Sequence, residues 1–472
     1  MKVHVSEIRN AKGFRKVVLL LIISPLLIAI PLYILYISPF SLYSPELSSV
    51  HHSMTANVSK RVSVKPKSCD IFKGKWVPYA KGPYYYTNST RCVVDDRQNC
   101  MRLGRPDTRF MKWRWKPDQC ELSHFDAKEF LELVRGKSMA FVGDSVGRNQ
   151  VESLMCLLAN VEYFRTRIVL LHIQKRVRNA VRQCYMHPNV LGVLSKMNVT
   201  LFYRQQLACS LLMIQFFSQV AHPVDDAPSL EGLMSHWFYS DYNFTLGLVW
   251  SPNLVKSSIG NRNVVGLFNL YLDKVDEGWT SKIEDFDYLI ISVGHWFSRP
   301  LIYHEKGKVI GCHMCQDANI ATLSRYYGYR KALRTTFKAI SGIPNFKGVT
   351  ILRAFSPTHF GSEDWVRGNC SRTTPFGKEE MVIDANNLEY YLTQVDEFRA
   401  AEREGRKRGL RFMLLDVFEA MGMRPDGHPY HYGHPQNKRE AIADCLHWCL
   451  PGPIDSWNEF LLHMLKVEAQ RD

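Results

Sequence analysis

The run Ser138-Met-Ala-Phe-Val-Gly-Asp-Ser-Val-Gly-Arg-Asn-Gln150 constrains this chain more than any other. Ser138–Val142 reads as a buried strand, Gly143-Asp144 as a tight turn carrying Ser145, and Val146 as the start of a helix. Such a turn exposes the Ser145 hydroxyl and presents backbone N–H groups where an oxyanion would form. A serine there also reads as a plain helix cap. A late segment, Asp444-Cys-Leu-His447-Trp-Cys449, favours the chemical reading. His447 can take the Ser145 proton and Asp444 can hold the imidazole.

The surrounding pattern agrees. Strand-like runs fall at Ser138–Val142, Thr245–Trp250, Tyr288–Val293, Val349–Ala354 and Phe412–Val417. Helix-like runs fall at Val146–Leu158, Ala321–Ile340, Asn386–Lys407 and Ser456–Leu465. This alternation predicts an α/β fold, a mainly parallel sheet with helices on both faces. Sites in such sheets form beyond the carboxyl ends of the strands. Ser145, Gly294-His295 and Ser356 each follow a strand and share that edge.

The N-terminal part carries other signals. Residues 17–37 are nearly all apolar, long enough to span a bilayer as a helix. Lys2, Arg9, Lys12, Arg15 and Lys16 precede it, which predicts a cytosolic tail at 1–16 and a single-pass type II membrane protein. A cleaved signal peptide is the alternative. Residues 38–68 read as a stem. The net charge is +15, yet there is no zinc-finger spacing, RNA-binding signature or long Lys/Arg run. That points away from nucleic acid and toward acidic glycans or a membrane surface. Among the 12 cysteines, Cys69, Cys92, Cys100 and Cys120 crowd one stretch. Residues 69–125 therefore read as a disulfide-stapled, aromatic-rich module. Its aromatics can stack on sugar rings or pack a small core. Cys312-His-Met-Cys315 has two-ligand spacing but no second such pair for zinc. Sequons stand at Asn57, Asn88, Asn198, Asn243 and Asn369. Residues 166–219 lack the turn chemistry around them. They read as an atypical insertion, either a retained in-frame intron or a genuine addition.

The two key segments, with Gly294-His-Trp-Phe297, Ser356-Pro-Thr-His-Phe360, Arg424-Pro-Asp-Gly-His-Pro429 and Leu450-Pro-Gly-Pro-Ile-Asp-Ser-Trp-Asn458, resemble the plant trichome-birefringence-like polysaccharide O-acetyltransferases. These belong to the GDSL/SGNH serine-esterase superfamily. The resemblance implies an SGNH-hydrolase-like domain over 126–472. It implies a Golgi enzyme with a lumenal catalytic domain that acetylates a cell-wall polysaccharide, with xyloglucan the nearest match. Ser145 would be acetylated by a donor, and a sugar hydroxyl activated by His447 would take the acetyl group, with no metal or cofactor. The oxyanion would meet the Ser145 and Gly294 N–H groups. The superfamily's third donor, an asparagine, has no counterpart where the strand leads into Arg353-Ala-Phe-Ser-Pro357. Arg148, Asn149, His295 and Trp296 are the expected substrate contacts. Two rivals stand beside this reading: an acetylesterase, which needs the same triad but delivers water, and a glycan-binding protein without catalysis, which would not require Ser145, Asp444 and His447.

Cys445 and Cys449 flank His447. A bridge between them would fix only a local turn. Bridges to distant cysteines would pin the base to the rest of the domain. Cys370 is the expected partner of one, and a cysteine of the Cys92–Cys120 group the partner of the other.

Overall fold

The computed structural model describes residues 69–82, 85–86, 92, 94–159, 234–260, 266–281, 283–360, 370–435 and 443–470. The tail, apolar stretch and stem expected at 1–68 lie outside these residues. So do the 166–219 stretch and every sequon asparagine except Asn243. Among the described residues, no helix is long and apolar enough to cross a membrane.

Strand β1 (Gly74–Pro78) pairs antiparallel with β2 (Trp113–Pro117). Trp76 and Trp115 face each other across this pair, edge to face at 5.6 Å. Trp115 Nε1–H donates to the Ile71 carbonyl at 2.8 Å, and Trp76 Nε1–H to the Ala420 carbonyl at 2.7 Å. Both rings are buried. Of the two roles open to these tryptophans, packing a core is the one the structure gives them.

Helix α1 (Ala127–Leu133) leads to β3 (Ser138–Gly143), and α2 (residues 145–159) follows. Then come β4 (Met234–Tyr239), β5 (Phe244–Trp250), β6 (Val255–Ile259), β7 (Phe268–Val275), β8 (Tyr288–Ser292), β9 (Leu301–Glu305) and β10 (Lys308–His313). Among the elements that follow are α3 (Arg325–Gly342), β11 (Val349–Arg353), α4 (Ala385–Lys407), β12 (Arg411–Leu415) and α5 (Asp455–Ala469). The main sheet has six strands in the order β12-β11-β8-β3-β5-β4. All pairs are parallel except β4–β5.

Strand β3 shows why the sheet is covered on both faces. Met139 and Phe141 join one apolar cluster, with Leu154, Leu157 and Phe460. Ala140 and Val142 join another, with Leu333, Phe337 and Phe398. A period of two sends alternate side chains to opposite faces. Strands buried on both sides read as continuous apolar runs, which is how they stood out in the sequence. At the carboxyl edge, β3 and β8 approach closely. A Cβ on Gly143 would come within 1.9 Å of the Ser292 carbonyl oxygen.

The sequence pattern missed a second sheet. Four strands, in the order β10-β9-β7-β6, grow from the loops after β5 and β8. Strand β6 has four of its five residues exposed. Strands β7 and β9 bury Leu270, Leu272, Leu301 and Tyr303 between half-buried or exposed neighbours, a short alternation rather than the continuous apolar run of the main sheet.

Disulfides tie the N-terminal module to the rest of the domain. Cys69–Cys120 closes within it. Cys92 instead bonds Cys156 on α2, and Cys100 bonds Cys449. Cys370 bonds Cys445, and Cys312 bonds Cys315. Each cysteine flanking His447 thus reaches a distant partner, as expected. Residues 68–472 form one compact unit. Peptide mapping without reduction should return these five pairs. Replacing Cys100 and Cys449 together by serine should lower the unfolding free energy by about 2–5 kcal/mol, read by denaturant titration.

Asp455, at the start of α5, ties three parts together. It accepts from Ser153 Oγ–H at 2.6 Å, Tyr86 O–H at 2.7 Å and the Gly452 N–H at 3.1 Å. Burial pushes its carboxyl up to about 7, with these donors acting the other way. The folded value is raised, so its stabilising contribution is complete below the unfolded value of about 3.9. It is lost as pH rises through about 7. Glu152, pushed up to about 7 by burial, acts in the same sense. Asp455→Asn should therefore flatten part of a fall in melting temperature between pH 5 and 8, measured by thermal scans across that range.

Candidate active site

The turn after β3 and the loop before α5 meet at the carboxyl edge of the main sheet. His447 Nε2 lies 2.7 Å from Ser145 Oγ, across 302 residues of sequence. His447 Nδ1 lies 2.9 Å from Asp444 Oδ2. With Nδ1–H donating to the carboxylate, Nε2 is free to accept the serine proton. Asp444 Oδ1 accepts the N–H groups of Leu446 and His447 at 3.1 and 2.9 Å. Burial pushes the Asp444 carboxyl up. His447 and those two donors outweigh burial and hold it well below the usual carboxylate range.

The cap of α2 is not Ser145. Asp144 Oδ1 accepts the Val146 N–H at 3.0 Å and sits 3.5 Å from the Gly147 nitrogen. This leaves the Ser145 hydroxyl to His447. The Ser145 N–H, at the very start of the helix, precedes any intrahelical acceptor.

Gly294 follows β8, whose Ser292 is in register with Gly143 of β3. Its φ is 152°, and a Cβ there would come within 2.7 Å of the Phe355 ring. Only glycine suits that conformation and that space. Gly294 therefore stands beside the Ser145 turn with a bare backbone, as an oxyanion donor requires.

The His447 main chain is held from several sides. Its carbonyl oxygen is 2.7 Å from His428 Nδ1. The His428 ring stacks on Trp448 at 4.0 Å and continues to His359 Nδ1 at 2.7 Å. The Tyr430 and Asp444 backbones bond each other twice, at 2.8 and 2.9 Å. Arg105, from the N-terminal module, donates to the carbonyls of His428 and Asp426 at 2.8 and 2.6 Å.

The expected substrate contacts are not all placed to touch one. Asn149 is fully buried. Its Oδ1 accepts the Trp448 N–H at 2.8 Å, and its Nδ2 donates to the Trp448 carbonyl at 3.3 Å. It clasps the His447 loop to the helix of Ser145, so it braces the site rather than meeting substrate. The Arg148 guanidinium is engaged by Asp95 at 3.2 Å and Glu152 at 3.5 Å. His295 is buried, stacked on Phe355 at 4.5 Å. Trp296 stays partly exposed, edge-on to Trp250 and Phe268 at 5.6 Å each, with Arg299 over its ring at 3.8 Å. Trp448 and Trp457 are fully buried. Sequence reasoning missed the bracing by His428, His359 and Arg105; nothing in their local pattern distinguishes a brace from a surface residue. Among the described residues, no group of three His, Cys, Asp or Glu side chains is arranged to hold a metal ion.

Asn149→Ala should leave the buried Trp448 N–H unpaired, at about 1–3 kcal/mol. The displaced His447 should slow the reaction of Ser145 with a fluorophosphonate reagent by about 10–100-fold, timed by mass spectrometry of the intact protein.

Known proteins resemble this chain in sequence. The GDSL/SGNH-like acyl-esterase family found in Pmr5 and Cas1p matches residues 122–195 and 203–464. The Pmr5 N-terminal domain matches residues 67–121. Protein trichome birefringence-like 19 of Arabidopsis thaliana is 42% identical over 89% of this chain and 86% of its own length. Xyloglucan O-acetyltransferase 4 of Populus trichocarpa is 36% identical over 91% of this chain and 89% of its own. Xyloglucan O-acetyltransferase 1 of Arabidopsis thaliana is also 36% identical, over 84% and 80%.

Proposed function

Because the chain belongs to the GDSL/SGNH-like acyl-esterase family found in Pmr5 and Cas1p, we propose that it transfers acetyl groups to hydroxyls of a plant cell-wall polysaccharide, xyloglucan first among them. The observation that carries this reading is the hydrogen-bonded line from Ser145 through His447 to Asp444, at 2.7 and 2.9 Å. The relatives named for xyloglucan O-acetylation support the acceptor.

The reaction runs in two halves. Ser145 Oγ attacks the carbonyl of an acetyl donor while His447 Nε2 takes its proton. The negative charge that forms on the carbonyl oxygen meets the N–H groups of Ser145 and Gly294. Collapse expels the leaving group, which receives the proton from His447, and acetyl-Ser145 remains. A sugar hydroxyl then attacks, His447 takes its proton, and the second collapse returns Ser145. Asp444 keeps the imidazole in the working tautomer throughout.

We assign the folded part to the Golgi lumen, anchored by residues 17–37. Five disulfides among the described residues accord with an oxidising compartment.

The test is to incubate the full-length protein, in detergent, with deacetylated xyloglucan, mannan and xylan oligosaccharides. Acetyl-CoA and a chromogenic acetyl ester serve as separate donors. Acetylated oligosaccharide, found by mass spectrometry, is the expected product. Free acetate alone would mark an esterase, and neither product would leave glycan binding. Ser145→Ala and His447→Ala should abolish transfer in a folded protein. Asp444→Asn should lose less, since it orients the base and exchanges no covalent bond.

A further inference from the structure

Beneath the Ser145 turn lies a buried cluster that the reaction above does not use. Asp144, His295 and Arg353 are all buried. Each ends in an atom without a hydrogen-bond partner: Asp144 Oδ2, His295 Nδ1 and Arg353 Nη2. Buried polar atoms are nearly always paired, so three orphans together need a reason. Asp144 Oδ2 and His295 Nδ1 are 3.9 Å apart. His295 Nε2 lies 3.0 Å from the Ser356 carbonyl and so carries the ring's proton. That makes Nδ1 an acceptor facing another acceptor. The orphan donor among the three is the Arg353 guanidinium.

Arg353 is fixed in place. Its Nε–H donates to Ser292 Oγ and its Nη1–H to the Ala354 carbonyl, both at 2.9 Å. The Ser292 carbonyl in turn accepts the Asp144 N–H at 3.1 Å. Cation and carboxylate therefore hang from the same residue, under the first turn of α2.

The charges explain the arrangement. Asp144 caps the helix one residue before the nucleophile. Uncompensated, its carboxylate would oppose the anion that forms at the Ser145 N–H. Burial pushes its carboxyl up, and Arg353 acts against that rise. Burial and Arg353 push the His295 imidazole down to about 3, so it adds no charge. Tyr329, raised by burial, stays neutral as well. Once it holds the Ser145 proton, His447 is the other group whose charge acts on Asp144.

We propose that Arg353 is a positioning residue whose guanidinium neutralises Asp144, leaving the start of α2 to present net positive potential to the oxyanion where the superfamily's third donor is missing. This rests on the proposed reaction only in naming that oxyanion. Any acyl or phosphonyl attack by Ser145 builds a similar anion at the same place.

The experiment times fluorophosphonate labelling of Ser145 in the full-length protein, which needs neither acetyl donor nor glycan. Arg353→Met should slow labelling by about 100-fold, the scale of a lost oxyanion stabiliser. Adding Asp144→Asn, which keeps the cap and removes the charge, should restore about tenfold or more of that loss, the scale of coupling between interacting sites. Arg353→Lys should stay within about tenfold of the parent for the same reason. Circular dichroism checks folding. A folded double variant as slow as Arg353→Met would overturn the inference, since a merely structural arginine is not rescued by removing a charge. If Arg353→Met does not fold, the comparison is Asp144→Asn with and without Arg353→Met. Those two should label within about tenfold of each other, and a further 100-fold loss would overturn the inference. Rescue of labelling in a protein that transfers no acetyl to any glycan would sink the proposed function and leave this inference standing.

Discussion

The 2.7 Å contact between Ser145 Oγ and His447 Nε2 is the constraint on which the rest of the structure depends. Proton transfer needs donor and acceptor within hydrogen-bond reach, and a longer gap forfeits most of the catalysis. Neither partner sits on a shared element. Ser145 heads a helix, and His447 lies in a loop without regular structure. The loop is therefore fixed by its main chain. Asp444 takes its N–H, His428 meets its carbonyl, and Asn149 clasps the next residue. Disulfides at Cys445 and Cys449 close both flanks.

The N-terminal module acquires its meaning from the same constraint. Arg105 reaches the His428 and Asp426 carbonyls, Asp95 pairs with Arg148 on α2, and Trp76 bonds the Ala420 carbonyl. Cys100 bonds Cys449 beside the base. The module is a buttress on the back of the site, and its tryptophans belong to the core they make there. Such a part can be small because it borrows its stability from the domain it supports.

The main sheet was legible because its strands are apolar on both faces. All five strand-like runs became strands within a residue or two of the expected ends. The serine turn and the Asp-x-x-His segment were legible because their chemistry sits in contiguous residues. What the sequence hid was contact between distant polar groups. Asn149 stood out only through the family's Arg-Asn-Gln motif; its burial against Trp448 reveals a brace. The cap showed the same ambiguity, since Asp144 and Ser145 are both good caps and adjacent. The second sheet was harder to read because β6 is mostly exposed and β7 and β9 alternate buried and half-buried residues over a few positions, without the continuous apolar run of the main sheet.

The Cys100–Cys449 bond joins residues 349 positions apart. On a growing chain, Cys100 is made long before its partner exists. At roughly 5–20 residues per second, the wait is on the order of tens of seconds. During that time β2 to β12 can be synthesised and paired while Cys100 stays a thiol, with Cys449 and His447 not yet made. A late segment therefore supplies His447, its carboxylate and the sulfur that locks them. A chain that stops short of it carries Ser145 without the proposed base, so on that proposal the serine stays inert until this segment is made.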